Sequence, residues 1–111
     1  VYSVEIVEPL ARQAAETLGR LDYPNIHLRV GDGYRGWPEA APFDAIIVTC
    51  APDHVPEPLT AQLREGGRLV IHVGPEGDQT LYLFRKRGDQ LERQAMLPVR
   101  FVPMTGEAEQ P

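Results

Sequence analysis

Asp32, held between Gly31 and Gly33, and Glu5, at the end of a short β-rich stretch, are the residues of this chain whose type and setting suit ligand chemistry. Flanking glycines let backbone approach a flat ring, while the carboxylate accepts a hydrogen bond from an exocyclic amine. An acid closing the first strand of a nucleoside-binding fold accepts from two ribose hydroxyls. Each has a plainer reading. Asp32 also suits a simple Asp turn, and Glu5 also suits a solvated residue before a helix in which Glu8 already meets the positive end of the dipole.

Other chemistry finds little support. His27 alternates outward on a strand, His72 sits inside an apolar strand and His54 lies in a proline-rich loop, so the close spacing of a zinc site is missing. His27 reads as surface and His72 as core, and His54 falls on the ligand side of the expected sheet. Tyr34 and Trp37 follow Asp32 closely enough to stack on a base, but an aromatic cap under a loop serves equally well. Cys50 closes an apolar strand and reads as an inert buried thiol. No residue stands out as catalytic, and no metal site is expected.

Composition narrows the partners. Eleven basic against sixteen acidic side chains give a formal charge of −5 with no basic run, which argues against nucleic acid and anionic membrane. No apolar run approaches the roughly 20 residues that span a bilayer. A lone cysteine in 111 residues makes no internal disulfide, so a reducing cytoplasm is the expected compartment. A monomer is the expected state. Ten of the eleven basic residues are Arg, a bias that decides nothing about function.

The elements that must position Glu5 and Asp32 follow from periodicity. Val1 to Ile6 reads as a strand, and Pro9 suits the first turn of a helix whose apolar residues Leu10, Ala11, Ala14, Ala15, Leu18 and Leu21 share a face. Ile26 to Val30 alternates as a strand near the sheet edge. Gly31 to Phe43 is a loop with room for one helical turn around Pro38 to Ala41. Asp44 to Cys50, apolar without alternation, predicts a strand buried on both faces of a parallel sheet. A short helix from Leu59 is expected to end on Gly66-Gly67 as its carboxyl cap, before a buried strand from Arg68 to Val73. After Gly74-Pro75-Glu76-Gly77, the strands Thr80 to Lys86 and Gln90 to Pro98 flank the hairpin turn Arg87-Gly88-Asp89. The class is α/β, mostly parallel with an antiparallel hairpin at the end. Both Gly31-Asp32-Gly33 and Thr49-Cys50-Ala51-Pro52 fall at carboxyl ends of strands, where open α/β sheets bind ligands.

Val1-Tyr2-Ser3-Val4-Glu5-Ile6-Val7-Glu8-Pro9-Leu10-Ala11, Gly31-Asp32-Gly33-Tyr34-Arg35-Gly36-Trp37, Ala41-Pro42-Phe43-Asp44-Ala45-Ile46-Ile47-Val48-Thr49, Gly66-Gly67-Arg68-Leu69-Val70-Ile71 and Val99-Arg100-Phe101-Val102-Pro103-Met104-Thr105-Gly106 stand in order and correctly spaced. Together they resemble the protein-L-isoaspartate O-methyltransferases over nearly the whole chain. The resemblance implies a Rossmann-like class I methyltransferase sheet, S-adenosylmethionine as cofactor, and methyl esterification of isoaspartyl residues in damaged proteins and peptides. It also implies that Glu5 meets the ribose hydroxyls and Asp32 the adenine amine, with Gly33 beside it.

The ending that carries Val102 and Pro103 is the candidate for one side of the peptide groove, an edge strand closing the sheet being the alternative. Residues 1–106 are expected to be the carboxyl-terminal part of a methyltransferase domain and 107–111 a polar, mobile tail. The family's glycine-rich cofactor loop and Ser-containing substrate loop would precede Val1. A gap is therefore expected between the strands Val1 to Ile6 and Asp44 to Cys50, and the 111-residue chain alone is expected to be inactive. The alternatives are another class I methyltransferase, acting on a small molecule or RNA, and a catalytically silent binding module.

Overall fold

Pro9 in the first turn, Glu8 at the amino end and Arg20 in the last turn start, charge and finish a helix, α1 (Glu8–Arg20), as the dipole favours. It connects β1 (Tyr2–Glu5) to β2 (His27–Val30), which pair in parallel from Tyr2 opposite His27 to Glu5 opposite Val30. Within α1, Ala11 is buried while Leu10 stays half exposed. The computed structural model describes residues 1–75, 77–100 and 102–109. Glu76 of the expected turn, Phe101 of the ending, and Gln110 and Pro111 of the tail lie outside the described residues.

Two single 3-10 turns, Gly33–Arg35 and Pro38–Ala40, lead from β2 into β3 (Phe43–Val48). After α2 (Glu57–Ala61) come β4 (Leu63–Val73), β5 (Gln79–Arg87) and β6 (Gln90–Val99). Strands β3 to β6 form one sheet in chain order, with β3 parallel to β4 and the rest antiparallel. Gly88, at a φ of 60°, supplies the left-handed backbone of the β5–β6 hairpin, the turn expected at Arg87-Gly88-Asp89.

Two expectations need correction. Gly66 and Gly67 do not cap a helix: α2 ends at Ala61, and both glycines lie inside β4, where its register against β3 slips between Phe43 and Ala45. The cause is local crowding. A Cβ on Gly67 would lie 2.8 Å from the Arg64 carbonyl oxygen and 2.8 Å from Leu63 Cδ1, and Gly66 has a φ of 76°, so the strand bends where only glycine fits. Nor is β3 buried on both faces. Val48 is buried, but Ile47 on the opposite face is 69% exposed, because no described element packs over it. The unbroken apolar pattern of β3 describes a strand with two covered faces, and one is covered here.

The expected gap is present. Among the described residues β1 pairs only with β2 and β3 only with β4, and a cavity of about 650 Å³ runs between the two sheets from Tyr2 and Phe43 to Cys50 and Met104. Tyr2 spans its amino end, with ring centroids 5.0 Å from Trp37 and 5.8 Å from Phe43. The core lies under the larger sheet, where Val48, Leu59, Leu63, Leu69, Ile71 and Met104 form one buried cluster. His72, expected in the core, is instead half-buried on the face of β4 opposite Leu69 and Ile71, and His27 is exposed as expected, with its ring stacked on Tyr2. Among the described residues no helix is long and apolar enough to cross a membrane.

Leu69 is fully buried in that cluster, whereas Leu97 on β6 is 57% exposed. In a polypeptide carrying this chain, Leu69→Ala is expected to cost about 2–5 kcal/mol of unfolding free energy. Leu97→Ala should cost under about 1 kcal/mol. Urea denaturation of the two variants checks the difference, and equal losses would misplace the core.

Candidate functional site

The parallel pairing of β1 with β2 brings Glu5 and the Gly31–Gly33 turn together at one edge: the Gly31 amide donates to the Glu5 carbonyl at 3.0 Å. Asp32 then caps the first 3-10 turn, its Oδ1 accepting from the Tyr34 amide at 3.0 Å. The Asp turn considered from sequence is therefore real. It uses one of roughly four lone-pair sites on the carboxylate, so it does not compete with a ligand. The second oxygen, Oδ2, accepts from the Glu107 amide at 2.7 Å. Glu5 is half-buried, and its Oε2 accepts a longer bond, 3.3 Å, from the Val7 amide.

Cys50 reports how near the third strand end lies. Its thiol is pushed above the ordinary value of 9.0, first by burial and then by the negative charges of Glu5 and Asp32. Glu5 at the end of β1, Asp32 after β2 and Cys50 after β3 thus lie near one another, and a half-buried thiol whose ionisation is disfavoured there fits the inert reading. The site stands at the carboxyl mouth of the inter-sheet cavity, which reaches Gly33, Cys50 and Met104, while Glu5 and Asp32 flank that mouth outside its lining. A Cβ on Gly33 would meet nothing within 4 Å, so the backbone beside Asp32 faces open space. Two carboxylates beside bare backbone can accept hydrogen bonds from hydroxyls and from an amine while a flat ring lies against the chain. Among the described residues no group of three His, Cys, Asp or Glu could hold a metal ion.

The aromatic residues are engaged with the loops themselves. Trp37 lies under the Arg29 guanidinium, 4.0 Å from its ring centroid, and edge-on to Tyr2, so it caps the loop. The Tyr34 hydroxyl meets His54 Nε2 at 3.0 Å, and His54 Nδ1 meets Asp53 at 2.5 Å, tying the loop after β2 to the loop after β3. Gln62 was not singled out from sequence. It is buried, its Oε1 accepts from the Trp37 amide at 2.8 Å, and its Nε2 donates to the Arg35 carbonyl at 2.8 Å. A glutamine three residues after Leu59, on an apolar helix face, was the available signal.

Val102 and Pro103 come to the end of β3. The Ala51 amide donates to the Val102 carbonyl at 2.7 Å, the Met104 amide donates to the Ala51 carbonyl at 3.1 Å, and Pro103 makes a single parallel bridge with Ala51. Among its described residues beyond Val99, the segment belongs to neither sheet and makes this one bridge. Val102 remains 63% exposed, and Met104 is buried in the core. Residues 107–109, expected as a mobile tail, form a 3-10 turn against Asp32, and Arg35 pairs with Glu107 at 2.8 Å.

Because both polar ends of Gln62 are used in a buried setting, Gln62→Leu leaves the Trp37 amide and the Arg35 carbonyl unpaired. A loss of about 1–3 kcal/mol is expected. Hydrogen exchange should also show faster exchange of the Trp37 amide, and an unchanged rate would remove Gln62 from the support of this loop.

Comparison with known proteins meets this geometry directly. The family model described as protein-L-isoaspartate(D-aspartate) O-methyltransferase matches residues 1–109. The protein-L-isoaspartate O-methyltransferase of Opitutus terrae is 59% identical over 108 residues, covering 96% of this chain and 46% of that protein. A solved protein-L-isoaspartate O-methyltransferase superposes with a TM-score of 0.91 at 35% identity, covering 97% of this chain and 35% of that one. A Plasmodium falciparum structure described under the same activity, in complex with S-adenosyl-L-homocysteine, superposes with a TM-score of 0.78 at 27% identity, covering 95% and 52% of the two chains. The chain spans about half the length of the curated relatives it matches, 46% and 48% of the first two. Its mixed α/β sheets are those of the class I methyltransferase fold, and the chain belongs to the protein-L-isoaspartate O-methyltransferase family.

Proposed function

We propose that the polypeptide carrying this chain transfers a methyl group from S-adenosylmethionine to the α-carboxylate of L-isoaspartyl residues in damaged proteins and peptides. The observation that carries this reading is the meeting of Glu5, Asp32 and the end of β3, joined by the Gly31–Glu5 bond and by the segment that runs from Ala51 to Asp32, within a chain that matches the family over residues 1–109. Glu5 is assigned to the ribose hydroxyls and Asp32 to the adenine amine, with Gly33 leaving room for the ring. These residues fit the group. Both carboxylates keep lone pairs that the fold does not use, and the space beside Gly33 is open. The Plasmodium falciparum neighbour, solved with S-adenosyl-L-homocysteine, holds the demethylated form of the same donor.

When bound, the sulfonium supplies a methyl group that is already activated. The acceptor carboxylate, with a pKa near 4 in ordinary peptides, is already ionised at neutral pH. The chain therefore needs no general base, and no residue is assigned as catalytic. Its task is alignment. Asp32 and Glu5 fix the nucleoside end of the donor, while Val102 and Pro103, on a segment held by two hydrogen bonds to Ala51, are assigned to one side of the peptide. Methyl esterification gives the carbonyl a leaving group: the neighbouring backbone amide nitrogen attacks the ester carbonyl, methanol departs, and hydrolysis of the resulting succinimide returns part of the product to normal aspartate. A cytoplasmic monomer acting on protein, without nucleic acid or membrane, completes the proposal, and residues 1–106 are taken as the carboxyl-terminal part of the methyltransferase domain.

Two outcomes test it in a polypeptide of the relatives' full length that carries this sequence. Asp32→Ala and Glu5→Ala should each weaken S-adenosylmethionine binding by about 1–3 kcal/mol, since each removes a charged acceptor. Calorimetric titration with unchanged affinity in both variants would withdraw the assignment. The same polypeptide should methylate an isoaspartyl peptide and spare its normal aspartyl counterpart. An added backbone methylene shifts the carboxylate, and a misplacement of about 1 Å costs on the order of a hundredfold in rate. Equal rates on the two peptides would refute repair.

A further inference from the structure

The last described segment crosses the site from one strand end to another. Pro103 and Met104 are tied to Ala51 beyond β3, and three residues later the chain reaches Asp32 beyond β2. Three independent features hold it there. The Glu107 amide donates to Asp32 Oδ2 at 2.7 Å. The Glu107 carboxylate pairs with Arg35 at 2.8 Å, an ion pair without an aligned hydrogen bond. Gly106 adopts a φ of 91°, and a Cβ there would lie 2.7 Å from Asp32 Oδ2 and 2.8 Å from Ile6 Cδ1, so the close approach requires glycine. Buried Met104 anchors the near end.

We propose that Gly106 and Glu107 are positioning residues that aim the Asp32 carboxylate at the adenine amine of the cofactor. This rests on the assignment of Asp32 given above. A carboxylate held at Oδ1 alone, by the Tyr34 amide of its own turn, can still rotate about its side-chain bonds. The second hydrogen bond, made by an amide 75 residues away, fixes the plane of the group and leaves one defined edge for a further donor. The donor is backbone, so the identity of the side chain at 107 matters less than its N–H. The strap also joins the segment assigned to the peptide, Val102 and Pro103, to the acid assigned to the cofactor.

The contrast between Glu107→Pro and Glu107→Ala isolates the amide, because proline lacks the N–H and alanine keeps it. Both remove the pairing with Arg35. In the full-length polypeptide, Glu107→Pro should raise the dissociation constant for S-adenosylmethionine roughly tenfold, the ordinary effect of losing one hydrogen bond to a charged group. Glu107→Ala should raise it less than about threefold, since Arg35 is 72% exposed and an ion pair with so solvated a partner is worth little. Steady-state kinetics should place the Glu107→Pro effect in KM for the cofactor, with kcat changed less than about twofold.

An Asp32→Ala background separates positioning from general structure. If the strap acts through Asp32, Glu107→Pro added to Asp32→Ala should weaken binding no further. Full additivity of the two effects, or equal affinities for Glu107→Pro and Glu107→Ala, would overturn the strap while leaving Asp32 as the adenine acid. Unchanged affinity for Asp32→Ala alone would overturn both readings.

Discussion

The carboxylate of Asp32 is the point on which the upper face of this structure depends. One oxygen accepts from the Tyr34 amide two residues on, which closes the 3-10 turn after β2. The other accepts from the Glu107 amide, 75 residues on, which brings the last described segment across the strand ends. Charge-assisted bonds of this kind are stronger than neutral ones, and two of them on one group remove most of its freedom. A local turn and a long-range closure are thus built around a single side chain, at the edge where parallel sheets offer their ligand crevices.

Around Asp32, the loops are held by groups that lie apart in sequence. Gln62 supports the backbone of Arg35 and Trp37, Tyr34 reaches His54, and Tyr2 meets Trp37 and Phe43 across the space between the two sheets. Within this chain β1 and β3 are not paired, so here the contacts joining their two sheets are made by loops and aromatic packing. A site that acts by alignment needs this kind of support more than it needs a proton carrier.

Much of this was legible in the sequence, and the parts that were not share a cause. Helix α1 followed from apolar spacing and Pro9, and the β5–β6 hairpin followed from Arg87-Gly88-Asp89, because both are decided within a few residues. Glu5 and Asp32 could be placed at strand ends by the same local reasoning. Gly66-Gly67 misled because a glycine pair after a helical pattern suits a cap and a bulge alike, and the choice was made by contacts with Leu63 and Arg64. The unbroken apolar run of β3 gave the strand correctly, but exposure of Ile47 depends on what packs over it. The Glu107 amide on Asp32 and the two bonds of Gln62 join positions far apart, and a backbone donor leaves no trace in residue type.

The central claim is that one aimed carboxylate, Asp32, receives the nucleoside end of the cofactor. A crystal structure of the full-length polypeptide with S-adenosyl-L-homocysteine tests it most directly. The account predicts the adenine amine about 3 Å from the Asp32 carboxylate, with the Glu107 amide still donating to Oδ2 and the ribose hydroxyls on Glu5. Adenine bound away from Asp32, or Asp32 turned away from the Glu107 amide to reach it, would contradict it.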